Sequence, residues 1–218
     1  MESGGRFGIF GGSFDPLHIG HLVLAEAARE RHRLDRVLFM LTPDPPHKTG
    51  HRLAPFDARL EMLQAAVASQ PGVFEVTTIE NDRPGPHYTV ETVPLLRAQF
   101  AGVAREWFLL IGGDSAGHFA RWREARALLR LVRLCVVLRP GHDTRELQEA
   151  MRATANDGQP LCTPDEAARV VADVAADTPL IGISSTDVRE RVRAGRSVRY
   201  LVPDAVREVI ARRGLYRA

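Results

Sequence analysis

Hydrophobic residues along this 218-residue chain alternate between short, almost wholly apolar runs and longer stretches in which they recur every three or four positions. The short runs are typical of strands buried on both faces of a parallel sheet, and the longer stretches are typical of helices that cover it. The alternation predicts an α/β fold with a doubly wound parallel sheet and helices at the C-terminus. We expect strands at 7–11, 37–41, 73–79, 107–111, 134–138 and 170–174, and helices at 19–33, 55–69, 89–100, 120–131, 145–155, 164–169, 186–194 and 203–213.

The composition agrees with one globular domain. Apolar residues make up 44% of the chain and charged residues 26%, which is neither a disordered nor a fibrous composition. We find no internal repeat and no low-complexity stretch. We therefore expect a single domain over residues 1–218, with a helical C-terminal part from about residue 184.

Several classes of protein do not fit these residues. The balance of 29 basic against 27 acidic side chains gives no support to a nucleic-acid binder or a protein that coats a membrane. The longest apolar runs are too short to cross a bilayer, and the polar residues 1–6 do not resemble a signal peptide. Cys135 lies in an apolar run, which favours free thiols over a disulfide and indicates a reducing cytoplasm. No clear interface stripe is present, so the sequence does not give the oligomeric state. A homo-oligomer is one possibility.

The first predicted strand ends in a glycine-rich turn that two histidines follow. Residues 11–21 read GGSFDPLHIGH. Gly11 and Gly12 let the backbone come close to a ligand, and the start of the next helix offers unpaired N–H groups to an anion. His18 and His21 share one face of a helical turn and could donate hydrogen bonds to phosphate oxygens. We rank a zinc site lower, because no nearby Cys or His completes a set of ligands.

A second anion-binding pattern lies near the C-terminus. Residues 183–186 read ISST, and their hydroxyl groups could cap a helix and bind phosphate together with its first N–H groups. Arg189 lies one turn further on, facing the same anion. Taken alone, an ordinary helix cap with a surface arginine would explain this motif equally well.

Together the two segments resemble the signatures of the HxGH nucleotidyltransferase superfamily, G-G-S-F-D-P-x-H-x-G-H and I-S-S-T-x-x-R, in the right order. Within it the chain is most similar to the bacterial nicotinate-nucleotide adenylyltransferase family. Six further segments carry that resemblance: PPHK at 45–48, HYTVET at 87–92, IGGD at 111–114, RPG at 139–141, YLVP at 200–203 and GLY at 214–216.

This resemblance implies a Rossmann-like fold of the nucleotidyltransferase type and a reaction of ATP with nicotinate mononucleotide, yielding nicotinate adenine dinucleotide and pyrophosphate in NAD biosynthesis. It also implies Mg²⁺ bound to the substrate phosphates and water, so we expect no set of metal ligands in the protein. The implied catalytic residues are His18, His21, Lys48 and Arg189. The implied ATP-binding residues are Gly11, Gly12, Ser13, Phe14, Gly20, Gly112, Asp114, Ile183, Ser184, Ser185 and Thr186. The implied mononucleotide-binding residues are His47, Lys48, Arg59, Tyr88, Thr89, Thr92, Trp122 and Arg139.

Lys48 is the only lysine among the 29 basic residues. A genome-wide preference for arginine would explain the bias, and a lysine that survives it marks a place where the planar arginine fork does not serve. A position close to a polyphosphate, where a mobile point charge is needed, is such a place.

Some assignments stay open at this point. Trp122 could stack on a pyridine ring or anchor the core, and Arg59 could lie on a helix surface. Asp15 and Asp114 could support a metal or a ribose. The alternative functions are an adenylyltransferase that acts on nicotinamide mononucleotide or phosphopantetheine, and a nucleotide-binding sensor without turnover.

Overall fold

The structure is a computed structural model that describes residues 5–43, 53–138, 144–174 and 181–217. In these residues five strands form one parallel sheet in the order β3-β2-β1-β4-β5. The strands are β1 (Gly5–Gly12), β2 (Arg36–Leu41), β3 (Phe74–Thr77), β4 (Ala104–Gly112) and β5 (Arg133–Val137). The α/β, Rossmann-like fold class is therefore confirmed.

Helices connect the strands and cover both faces of the sheet. They are α1 (Ile19–His32), α2 (Phe56–Val67), α3 (Thr89–Gln99), α4 (Gly113–Ala116), a 3-10 turn (Phe119–Arg121), α5 (Ala125–Leu131), α6 (Thr144–Arg152), α7 (Pro164–Ala172), α8 (Ser185–Arg193) and α9 (Asp204–Arg212). No helix in the described part of the chain is long and apolar enough to cross a membrane.

The strands are apolar because both of their faces are buried. In β2, Phe39 packs into the hydrophobic cluster on one face of the sheet, and its neighbours Leu38 and Met40 pack into the cluster on the other. In β4, Phe108 and Leu109 divide in the same way. Side chains of a strand point alternately to the two faces, so a sheet covered on both sides needs apolar residues at every position.

The order of the strands reverses beside β1. The chain winds outward from β1 through β2 to β3, and then returns to place β4 on the other side of β1. Ligands of such sheets bind at the carboxyl ends of the two strands where the winding direction changes. The turns after Gly12 and Gly112 lie at this point.

Two predicted elements are wrong. The predicted helix 120–131 is broken, because Glu124 has a φ of 50° and begins α5 from a left-handed conformation that an α-helix cannot contain. The predicted strand 170–174 is largely the end of α7, whose start is fixed by a reciprocal cap between Thr163 and Glu166. The run of valines had favoured a strand, and the helix cap outweighs that preference.

Candidate active site

A cavity of about 730 Å³ opens at the carboxyl ends of β1 and β4. It lies between the turn after β1, the N-terminus of α3, the 3-10 turn and the N-terminus of α8. The predicted site residues that line it are Gly11, Gly12, Ser13, Phe14, His18, His21, Tyr88, Thr89, Gly112, Trp122, Ser184, Ser185, Thr186 and Arg189. Residues from both sequence motifs therefore face one space.

The two histidines of the first motif form a stacked pair at the start of α1. Their ring centroids are 3.7 Å apart, with an angle of 29° between the planes. The backbone N–H of His18 donates to Nδ1 of His21 over 3.1 Å, and the His18 side chain is only 1% exposed. Since Nδ1 of a neutral His21 accepts this bond, its proton is on Nε2, which makes Nε2 a hydrogen-bond donor.

Two glycines of this motif make room for the neighbouring aromatic rings. A Cβ at Gly20 would lie 3.0 Å from Nδ1 of His18, and a Cβ at Gly12 would lie 3.1 Å from the ring of Phe14. A side chain at position 20 would therefore crowd His18, and Gly20 is not itself among the residues that line the cavity.

The second motif docks directly on the first. The Ser185 hydroxyl donates to the carbonyl oxygen of Pro16 over 3.0 Å. Nη1 of Arg189 donates to the carbonyl oxygen of Asp15 over 2.8 Å, and its Nη2 donates to Oγ1 of Thr186 over 3.1 Å. These bonds fix α8 against the turn after β1, so the two motifs form one surface.

Ser184 caps α8 and organises its first turn. Its hydroxyl accepts a bond from the backbone N–H of Asp187, whose carboxylate accepts bonds from the hydroxyl and the backbone N–H of Ser184. These bonds lower the pKa of Asp187. Ile183 precedes the cap and packs against the hydrophobic core, and it does not line the cavity.

Asp15 of the first motif is wholly buried. Its Oδ1 accepts from the backbone N–H of Ala54 over 3.2 Å and from the hydroxyl of Tyr216 over 2.7 Å. Nη1 of Arg189 lies 3.8 Å from its Oδ2. Asp15 therefore binds other parts of the protein and is not among the residues that line the cavity.

Arg59 is also buried, at 2% exposure, and binds backbone carbonyl groups. Its guanidinium donates to the carbonyl oxygens of Ser13, Thr42, Pro43 and Ala54, over 2.8 to 3.0 Å. It joins the turn after β1 to residues on both sides of the segment 44–52. Arg59 does not line the cavity. Its guanidinium binds the loops that surround the cavity instead.

Trp122 and Tyr88 form an aromatic part of the cavity wall. The Trp122 ring lies 5.1 Å from that of Phe119 and packs against the core on its far side. The guanidinium of Arg123 lies 4.6 Å above the Tyr88 ring. Trp122 therefore packs against the core and also faces the cavity, and its stacking on a pyridine ring stays a prediction.

Thr92 lies in the first turn of α3 and binds residues of the preceding loop. Its hydroxyl donates to Oε1 of Glu80 over 2.9 Å, lies 3.2 Å from the carbonyl oxygen of Tyr88 and accepts from Arg83. Thr92 is fully buried and does not line the cavity, whereas Glu80 does. The geometry thus favours an indirect role for Thr92 through the residues beside it.

Other predicted residues lie outside the part of the chain that the structure describes. They are His47, Lys48 and Arg139, together with the side chain of Asp114. Their roles stay predictions. In the described residues there is no group of three or more His, Cys, Asp or Glu side chains that could hold a metal ion.

The sequence interpretation missed several residues that line the cavity. They are Glu80, His87, Arg121, Arg123 and Asn156, among others. His87 lies in the HYTVET segment, so its position next to Tyr88 could have identified it. Asn156 donates to the carbonyl oxygen of Arg121 over 2.9 Å, a long-range contact with no signal in the local sequence.

Comparison with known proteins identifies the family of this chain. A family model described as cytidylyltransferase-like matches residues 9–191. A probable nicotinate-nucleotide adenylyltransferase of Thermomicrobium roseum is 41% identical over 97% of this chain and 92% of its own. One of Thermus thermophilus is 42% identical over 97% of this chain and 100% of its own.

A solved structure shares the fold. The nicotinic acid mononucleotide adenylyltransferase of Plasmodium falciparum, in complex with NaAD, has a TM-score of 0.68 at 14% identity, over 97% of both chains. The resemblance drawn from the motifs is thereby confirmed at the level of sequence and of fold. This chain belongs to the cytidylyltransferase-like family, among the relatives that are named nicotinate-nucleotide adenylyltransferases.

Proposed function

We propose that this protein transfers the adenylyl group of ATP to nicotinate mononucleotide, with nicotinate adenine dinucleotide and pyrophosphate as products. One observation carries the proposal. Two motifs about 170 residues apart are joined by the bonds from Ser185 to Pro16 and from Arg189 to Asp15, and they face a single cavity. A cavity lined by two phosphate-binding segments and an aromatic wall suits a triphosphate and a ring-bearing nucleotide together.

The reaction needs positioning and charge stabilisation rather than a general base. The attacking group is a phosphate oxygen of the mononucleotide, which already carries a negative charge at neutral pH. It forms a bond to the α-phosphorus of ATP, and the bond from that phosphorus to the oxygen of the β-phosphate breaks to release pyrophosphate. Negative charge develops on the leaving group, so hydrogen-bond donors fixed in advance stabilise the transition state.

We assign these donors to His18, His21 and Arg189. Nε2 of His21 carries a proton in the neutral ring and donates to a phosphate oxygen, because the backbone of His18 occupies its Nδ1. Arg189 keeps donors for a phosphate, since a guanidinium has five N–H groups and two bonds to the protein do not use them all. Lys48 would add a further cation to the leaving group.

The ATP enters as its Mg²⁺ complex. A magnesium ion prefers octahedral coordination by oxygen and keeps several of its waters, so substrate phosphates and water can hold it without a dedicated protein cage. This fits a cavity whose described walls contain serine, threonine, histidine and arginine at the proposed phosphate positions. When bound, the ion neutralises charge on the phosphates.

The wall formed by Tyr88, Thr89 and Trp122 is proposed to bind the pyridine ring. Tyr88 is the N-cap of α3 and its side chain makes no capping bond. Its carbonyl oxygen accepts from the N–H of Glu91, which leaves the N–H groups of Thr89 and Val90 to other acceptors. A helix N-terminus favours an anion, and the preference rests on this helix end, because the charge of Arg123 is shared with the carboxylates of Glu91 and Glu124. This supports nicotinate, which carries a carboxylate, over nicotinamide.

The test measures pyrophosphate release with MgATP and either nicotinate or nicotinamide mononucleotide. We expect kcat/KM for nicotinate mononucleotide to be higher by more than about tenfold, since one charge-assisted contact contributes that much. Equal values would contradict the nicotinate preference, and no release with either would contradict adenylyl transfer. His18→Ala is the matched control, expected to lose turnover and keep mononucleotide binding.

A further inference from the structure

The buried carboxylate of Asp15 connects four separate parts of the chain. It belongs to the turn after β1, and it accepts bonds from Ala54 before α2 and from Tyr216 at the end of the chain. Arg189 of α8 is its third partner and supplies the fourth part of the chain. Asp15 and Tyr216 are 201 positions apart in the sequence, so this contact forms only in the folded protein.

A buried carboxylate is stable only where hydrogen bonds and a cation replace its lost water. Asp15 has 0% exposure, and the Tyr216 hydroxyl makes the shorter of its two hydrogen bonds, at 2.7 Å against 3.2 Å for Ala54. Burial and the charge of Asp15 raise the pKa of Tyr216, so its hydroxyl keeps its proton and remains a donor. The tyrosine therefore contributes to the orientation of the Asp15 carboxylate.

Asp15 in turn holds Arg189 at two points. Nη1 of Arg189 donates to the Asp15 carbonyl oxygen over 2.8 Å and lies 3.8 Å from its carboxylate. The third contact of this guanidinium is Oγ1 of Thr186, within its own helix. A rotation of the Asp15 side chain would move its carboxylate away from Nη1 of Arg189 and leave the bond to the backbone carbonyl in place.

We propose that Tyr216 is a positioning residue for the adenylyl-transfer reaction, acting through Asp15 to direct the guanidinium of Arg189 at the triphosphate. Tyr216 does not line the cavity, so it acts without touching the substrate. The inference rests on the proposed role of Arg189 at the phosphates. It makes docking of the end of the chain a condition for full turnover.

The test is a double-mutant cycle in steady-state kinetics. Tyr216→Phe keeps the ring and removes the hydroxyl. We expect kcat to fall by about tenfold or more, since small misplacements of a catalytic group have large effects, while KM for both substrates changes by less than about twofold. In an Arg189→Lys background, which keeps a cation but not the guanidinium fork, the same substitution should change kcat by less than about twofold.

The control is Tyr200→Phe. Tyr200 also has a left-handed backbone, with a φ of 68° against 62° for Tyr216, but it is 83% exposed. The kcat of Tyr200→Phe should equal that of the wild type. Thermal denaturation should show that each variant folds. Asp15→Asn provides a second route, expected to lower kcat and to be non-additive with Tyr216→Phe.

Two results would overturn the inference. One is unchanged kcat in Tyr216→Phe, and the other is an equal loss in the wild-type and Arg189→Lys backgrounds, which indicates a general structural effect. Both are distinct from failure of the proposed function, in which the wild-type protein itself would release no pyrophosphate.

Discussion

The imidazole rings of His18 and His21 stack 3.7 Å apart, and the backbone N–H of His18 binds Nδ1 of His21. Contacts between its own residues therefore hold the first motif in this conformation. The pair depends on a helix start at Ile19, because only a helical turn places residues three apart on one face. Three measurable predictions concern this pair and other residues of the site, and a fourth concerns His32 at the far end of α1.

His21 is expected to have two separable roles. In His21→Asn, the side-chain oxygen can replace Nδ1 as acceptor for the backbone of His18, but the donor at Nε2 is lost. We predict that kcat falls at least about a hundredfold, the loss typical of removing one transition-state donor. The free energy of unfolding should change little in His21→Asn. It should fall by about 1 kcal/mol more in His21→Ala, because that variant also loses the bond that caps α1. Equal stability of the two variants would contradict a capping role.

Gly20 is expected to protect the position of His18. In Gly20→Ala the added Cβ would lie 3.0 Å from Nδ1 of His18, so the ring must move. We predict that kcat falls about tenfold or more while KM for the mononucleotide changes less. Gly182→Ala is the matched control, because its Cβ would meet nothing within 4 Å. Similar kcat values for the two variants would show that the fit around His18 is not required.

Trp122 is expected to bind the pyridine ring. Trp122→Ala should raise KM for nicotinate mononucleotide by about tenfold, from the loss of an aromatic stack, and leave KM for MgATP within about twofold. Because Trp122 also packs on Phe119, its removal should lower the free energy of unfolding too. Trp122→Phe separates the two effects, since a smaller ring can still stack. A parallel rise in both KM values would argue against a mononucleotide wall.

His32 predicts a pH dependence of stability that is unrelated to the site. The side chain is 5% exposed and packs on Phe108, and burial lowers its pKa despite the nearby carboxylate of Asp173. As the pH falls below about 6.5, the unfolded chain binds a proton that the folded protein resists. The free energy of unfolding should therefore decrease from pH 7 to pH 5.

Denaturation by urea at the two pH values measures this decrease. Nε2 of His32 has no hydrogen-bond partner among the described residues, so an apolar replacement breaks no bond at that atom. His32→Leu should show a smaller difference between pH 7 and pH 5 than the wild type. An unchanged difference would assign the pH dependence to other groups.

The alternation of apolar and polar residues was enough to predict the parallel sheet and the position of the first motif. Phe39 and its neighbours are apolar on both faces, and Gly12 ends β1 where the winding direction changes. These features are local, and a sequence shows local features directly. The second motif could be placed near the first only through family resemblance, since no local pattern reveals the bond from Ser185 to Pro16.

The contacts around Asp15 and Arg59 could not be predicted in the same way. Arg59 lies on a helix, which suggested a surface residue or a substrate contact, yet it binds backbone carbonyl groups that only the fold brings together. Asp15 meets Tyr216 from the far end of the chain. Backbone acceptors and contacts between distant segments leave no periodic signal in a sequence.

The most direct test follows the α-phosphate of ATP. The protein is incubated with nicotinate mononucleotide and MgATP labelled at the α-phosphorus, and the products are separated. Adenylyl transfer predicts that the label enters nicotinate adenine dinucleotide, with one pyrophosphate released for each dinucleotide formed. Label that stays in ATP, or that appears only in AMP or ADP, would contradict adenylyl transfer at this site.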